Sequence, residues 1–170
     1  MQANQALLVL SAAAGSTGRL SSMSWLRKLP DLAALSISNL QLPAEATAEL
    51  AQLPLHQLKH LSLSGCGPQN LRMLLSAPFA SRTLETLELS HGSLHSVSPL
   101  DLPLQALQCL SAFTAQYNDL TLDAAVALLA ALRWQPKLEV IDLTLSLDRR
   151  EKKLLAFYAL HKNDTYHLYL

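Results

Sequence analysis

Apolar residues recur along this chain in a fixed two-part pattern. Leu32-x-x-Leu35-x-Ile37 returns as Leu58-x-x-Leu61-x-Leu63, Leu84-x-x-Leu87-x-Leu89, Leu110-x-x-Phe113-x-Ala115 and Leu138-x-x-Ile141-x-Leu143. With the second apolar position as marker, residues 35, 61, 87, 113 and 141 lie 26, 26, 26 and 28 residues apart. A step of 27 residues outward reaches Leu8-x-Leu10 at one end and Leu168-x-Leu170 at the other. Alternation with period two predicts short strands that bury one face and expose the other. Seven strand cores and six intervals then account for almost the whole chain.

The intervals carry helix signals of uneven strength. Residues 121–134 form the clearest helix: Thr121 and Asp123 can cap it, and Ala125, Leu128, Leu129 and Leu132 fall on one stripe. Residues 44–52 and 69–76 read as shorter helices, with Pro43 and Pro68 near their starts. Residues 148–161 predict a helix whose charged face, Arg149 to Lys153, opposes Leu154, Leu155 and Tyr158. Prolines at 99 and 103 predict an irregular crossover there. Residues 19–29 supply a helix with Met23, Leu26 and Leu29 inward, and Trp25 adds to the apolar face that packs on the first strand.

A regular L-x-x-L-x-L frame at this period resembles the leucine-rich repeat family, and the resemblance spans the whole chain. The repeat length, together with the run from Asn118 to Leu132, is most similar to the ribonuclease-inhibitor subclass. The resemblance implies an α/β fold: a leucine-rich-repeat solenoid of about six repeats, its curved parallel sheet backed by helices or irregular crossovers on the convex side. It implies also that the position eight residues after the first leucine is an Asn or Cys bonding loop backbone. Here that position reads Leu40, Cys66, Gly92, Asn118 and Ser146, so Cys66 and Asn118 match. Leu40 and Gly92 leave backbone groups that must find other partners.

The same register lists the exposed concave face in three columns. The first reads Leu7, Ala34, His60, Thr86, Ala112, Val140, His167; the second Val9, Ser36, Ser62, Glu88, Thr114, Asp142, Tyr169; the third Ser11, Ser38, Ser64, Ser90, Gln116, Thr144. Small hydroxyl residues dominate. Such a face lets a partner's backbone approach closely, which makes Ser36, Ser62, Ser64, Glu88, Ser90, Thr114, Gln116, Asp142 and Thr144 the candidate partner-binding residues.

Composition narrows the function classes. The chain has 170 residues, with 13 basic and 13 acidic, and 42 of them are leucine. Charge at 15% is sparse against a typical ~25%, and balanced, which argues against disorder and against nucleic-acid binding by direct electrostatics. No uninterrupted apolar stretch reaches the ~18 residues a membrane span needs. Residues 1–29 hold no acid and three bases, so they are either the first repeat or a weak mitochondrial presequence; the expectation is an intracellular protein, mitochondrial in the second case and cytoplasmic otherwise. Cys66 and Cys109 have no paired ligand spacing and sit nearly two repeats apart, as free thiols.

Chemistry is thin. Glu88 and Asp142 are the only carboxylates in the three columns, with Thr114 between them, about 10 Å apart at a ~4.8 Å strand spacing. That exceeds even the inverting-glycosidase separation, with no cleft to desolvate either. His56 and His60 straddle the start of a strand, and His91, His95, His161 and His167 are dispersed, so no metal or cofactor is expected. There is no phosphate loop and no nucleophile triad.

The sequence therefore predicts one leucine-rich-repeat domain over 1–170, a non-catalytic protein-interaction module acting as a scaffold or accessory subunit. The alternatives are a regulator that grips an enzyme or GTPase through the concave face, and, well behind, an enzyme. Repeat stacks need polar caps. The chain starts in its first strand and stops in its last, so Leu8, Val9, Leu168, Tyr169 and Leu170 are expected to lie uncovered along the stack. Other subunits of one complex, or a second copy, would cover them.

Overall fold

A computed structural model describes residues 6–11, 18–19, 21–65, 67–91, 94, 98, 101–144, 146–160 and 166–170. It is α/β, with one all-parallel sheet of seven strands: β1 (Ala6–Ser11), β3 (Leu32–Ser38), β5 (His60–Ser64), β6 (Thr86–Ser90), β7 (Ala112–Thr114), β8 (Val140–Asp142) and β9 (His167–Tyr169). They lie side by side in chain order. β2 (Gly18–Arg19) and β4 (Leu40–Gln41) form a separate two-stranded parallel pair. That pair supplies backbone partners at position 40, where the turn amide is replaced by leucine.

The register follows the columns of the sequence. Leu8, Leu35, Leu61, Leu87, Phe113, Ile141 and Leu168 align across all seven strands. Val9, Ser36, Ser62, Glu88, Thr114, Asp142 and Tyr169 align beside them. A one-residue slip would turn the whole leucine row to water, which is why the pattern fixes the pairing so firmly. Pairing also extends one residue upstream, since the N–H groups of Glu85, Ser111 and Glu139 donate to the carbonyls of Lys59, Glu85 and Ser111 at 2.8 Å.

Helices cover the leucine side. α1 (Ala44–Ala51) buries Ala46 and Leu50, α2 (Pro68–Leu75) contributes Leu71, Leu74 and Leu75, and α3 (Pro78–Arg82) adds Phe79 and Ala80. α4 (Leu122–Leu132) buries Ala125, Leu128, Leu129 and Leu132, the predicted stripe, with Thr121 Oγ1 accepting from the Ala124 N–H at 3.2 Å as cap. These side chains join the strand leucines in one continuous core. Each fully buried aliphatic side chain stabilises by roughly 1.5–3 kcal/mol, so the stack of rows is the main source of stability.

Two local expectations are corrected and one element is added. The helix expected over 19–29 is a short 3-10 turn, Ser24–Lys28, with Met23 and Leu26 buried but Trp25 exposed. The 3-10 geometry explains this: three residues per turn put 23 and 26 on one edge and leave 25 off it. α5 (Arg149–Leu160) buries Leu155 but leaves Leu154 47% exposed, on the same side as the charged run rather than on the core face. The side chain of Tyr158 lies outside the described residues, as do Cys66, Gly92, His95, His161 and Pro99. α3 had no counterpart in the apolar pattern; Pro78 starts it at the first helical position.

Candidate functional site

The face of the sheet opposite the helices holds the predicted partner-binding residues. Ser36, Ser62, Ser64, Glu88, Thr114, Gln116, Asp142 and Thr144 are all half-buried on it. Ser90 is not available there. It is 4% exposed, because its hydroxyl folds along the strand and donates to Glu88 Oε1 at 3.0 Å. Hydroxyls on a strand face bond the nearest carboxylate when one stands two residues away on the same side.

Glu88 and Asp142 align on either side of Thr114, two strand spacings apart, ~10 Å. Their surroundings differ. Asp142 is held by neutral donors: Gln116 Nε2 reaches its Oδ2 at 3.0 Å, the Thr144 N–H reaches Oδ1 at 2.9 Å, and the Thr144 hydroxyl donates to the same oxygen. Among the described residues Glu88 meets only the Ser90 hydroxyl. Neither carboxylate has a cation within ion-pair distance among the described residues, where the ion pairs are Lys59–Glu85 and Arg72–Asp101, both at 2.8 Å.

Beside Glu88 lies a shallow depression of about 130 Å³, lined by Leu7, Ala34, Ser36, His60, Ser62 and Thr86 along with Glu88 itself. Its walls come from β1, β3, β5 and β6, four strands that the register brings into line. Leu7, on β1 at its margin, is 68% exposed.

The turns at the strand ends are the second constructed feature. Asn118 is fully buried; its Oδ1 accepts from the Leu94 N–H at 3.0 Å, and its Nδ2 donates to the carbonyls of Leu89 and Gln116 at 2.5 and 3.0 Å. Ser146, one repeat on, accepts from the Asn118 N–H at 3.1 Å and donates to the Ala115 carbonyl. One position earlier in each turn, Asn39, Gly65, His91 and Tyr117 all have positive φ, between 52° and 73°. This ladder went unread in the sequence. Asn and Gly at 39 and 65 were its signal; His91 and Tyr117 concealed it, and their rings stack at 4.8 Å and 5°.

Histidines and the cysteine are scattered. His56 lies in a turn and His60 opens β5, while Cys109 donates to the Arg82 carbonyl at 3.2 Å. Among the described residues no three metal-ligating side chains converge.

The end strands are half-covered. Leu8, Leu10, Leu168 and Leu170 pack against the core but stay partly exposed, whereas their counterparts Leu35, Ile37, Leu61 and Leu63 are buried. Val9 and Tyr169, on the opposite face, are 57% and 54% exposed. No family model, curated protein or solved structure matches this chain. No helix among the described residues is long and apolar enough to cross a membrane.

Proposed function

We propose that the chain is a leucine-rich-repeat solenoid acting as a non-catalytic protein-interaction module, a scaffold or accessory subunit in a larger assembly. One observation carries this reading: seven strands at 26–28-residue intervals align residue for residue, and the face they present is flat, hydroxyl-rich and half-exposed. A flat face of small residues suits a protein partner's backbone better than a small substrate, which needs a concave apolar pocket. The ~10 Å separation of Glu88 and Asp142 supports the non-catalytic half of the proposal.

The half-covered end leucines favour an assembly subunit over a free-standing regulator of an enzyme or GTPase. Native mass spectrometry of the chain isolated from its own cells tests the choice. A subunit leaves the cell in a fixed stoichiometric complex. A stable monomer that joins its target only transiently would support the regulator instead, and a monomer with no partner at all would overturn both.

A further inference from the structure

We propose that the depression beside Glu88 is a binding site for one basic side chain, an arginine or lysine carried by the partner segment that lies on this face. The inference rests on the interaction-module reading and adds the chemistry of what is recognised.

Three observations lead to it. The depression is small, about 130 Å³, close to four water volumes at ~30 Å³ each. That accommodates a methylene stem, and Leu7, Ala34 and the Ser36, Ser62 and Thr86 side chains give it mostly carbon walls. Leu7 on β1 and Glu88 on β6 stand at opposite margins of the four lining strands, so a side chain lying across them from Leu7 brings its tip to Glu88. Amphipathic stems with a charged head, those of Arg and Lys, satisfy both conditions at once.

Charge complementarity points the same way. The chain is neutral overall, with 13 bases, yet none of the aligned positions of the three columns is Lys or Arg. The face therefore carries the two negative charges of Glu88 and Asp142 with no internal cation. Of the two, Asp142 has both oxygens occupied by neutral donors. Glu88 accepts from Ser90 on Oε1, and no described residue donates to its Oε2. Among the described residues Glu88 is thus the carboxylate with an acceptor oxygen still open to a guanidinium or ammonium, and it is half-buried, where a charge-assisted bond is stronger than in bulk water.

The test uses the full chain and a blocked arginine, N-acetylarginine methylamide, followed by NMR titration with N-acetylnorleucine methylamide as the uncharged control. Expected are shifts confined to Leu7, Ala34, His60, Ser62 and Glu88, a far weaker response to norleucine, and about fivefold weaker arginine binding in Glu88→Gln, the size of one half-exposed ion pair. Ser62→Trp, which fills the depression and keeps the carboxylate, should abolish the response. Absence of localised shifts, equal binding of norleucine, or binding unchanged in both variants overturns the site. Such a result leaves the interaction-module reading standing, because native mass spectrometry decides that one separately.

Discussion

At the scale of single residues, the side chains that matter most are those that bond backbone no helix or strand can satisfy. Asn118 serves three backbone groups from two neighbouring turns; its bonds to the Leu94 N–H and the Leu89 carbonyl are buried, and that to the Gln116 carbonyl is partly buried. Asn118→Ala removes the side-chain partner of the Leu94 N–H and of the Leu89 carbonyl, while the Gln116 carbonyl keeps the His91 N–H at 3.2 Å, and should lower stability by about 1–3 kcal/mol in a urea titration. A loss under about 0.5 kcal/mol would show that water replaces the amide without penalty. Asn39 stands one place earlier in its own turn, where the sequence places it outside the bonding position and implies that changing it is nearly neutral. Its φ of 55° corrects that expectation. Asn39→Ala forces a Cβ-bearing residue without a compensating side chain into the left-handed region and should cost about 1 kcal/mol, whereas Asn39→Gly should cost little. Equal stabilities of the Ala and Gly variants would remove backbone conformation as the cause.

At the scale of elements, legibility tracks how many neighbours enforce a pattern. The strands were readable because each shares its apolar row with six others: a one-residue slip of β5 would turn Leu61 and Leu63 out of the rows they form with β3 and β6. α4 was readable because capping and stripe agree, from Thr121 to Leu132. The first crossover was not, because its order comes from a contact distant in sequence. Glu49 on α1 accepts from the Ser22 hydroxyl at 2.7 Å and from the N–H groups of Met23 and Ser24 at 2.7 and 3.1 Å, anchoring the start of the 3-10 turn. No periodicity announces a carboxylate that caps another element. These bonds, the Ser22 hydroxyl first, and then the charge of Arg27, hold the Glu49 carboxyl below the ordinary carboxylate range. A lowered folded pKa means the anchor is present above the unfolded value, near 4.5, and is lost as pH falls through the lower folded value. Amide protection at Met23 and Ser24, measured against the intrinsic exchange rate at each pH, should therefore fall in acid before that of the strand core, and Glu49→Ala should show the low protection already at neutral pH. Exchange in step with the core at every pH would mean that the turn is held by Met23 and Leu26 packing alone. The candidate site divides along the same line: its columns followed from the period, while the burial of Ser90 and the His91–Tyr117 stack depend on rotamers that alternation does not encode.

At the scale of the molecule, the same row of leucines is buried in the middle of the sheet and half-covered at both margins, and this gradient sets two linked expectations. Leu87→Ala, in a row position with no exposure, should cost about 2–5 kcal/mol, while Leu8→Ala should cost clearly less, since part of Leu8 already meets water. Among the described residues β1 pairs only with β3, and β9 only with β8, so each offers there one backbone edge without a strand beside it. Edges of this kind are ordinarily guarded by charge, and neither Ala6–Ser11 nor His167–Tyr169 contains a Lys, Arg, Asp or Glu. The geometry also sets the form of association: a parallel sheet extended in its own direction places β9 of one copy beside β1 of the next, a heterologous contact that does not close on itself. The 170-residue chain alone should accordingly show concentration-dependent growth in sedimentation velocity, with no preferred dimer. Val9→Lys and Tyr169→Lys put a charge on each margin outside the core, where substitution costs little folding stability, and should return the chain to a monomer with its urea midpoint nearly unchanged. A wild-type chain that sediments as a monomer at micromolar concentration while β1 and β9 resist hydrogen exchange would show that the two margins are sealed without a neighbour.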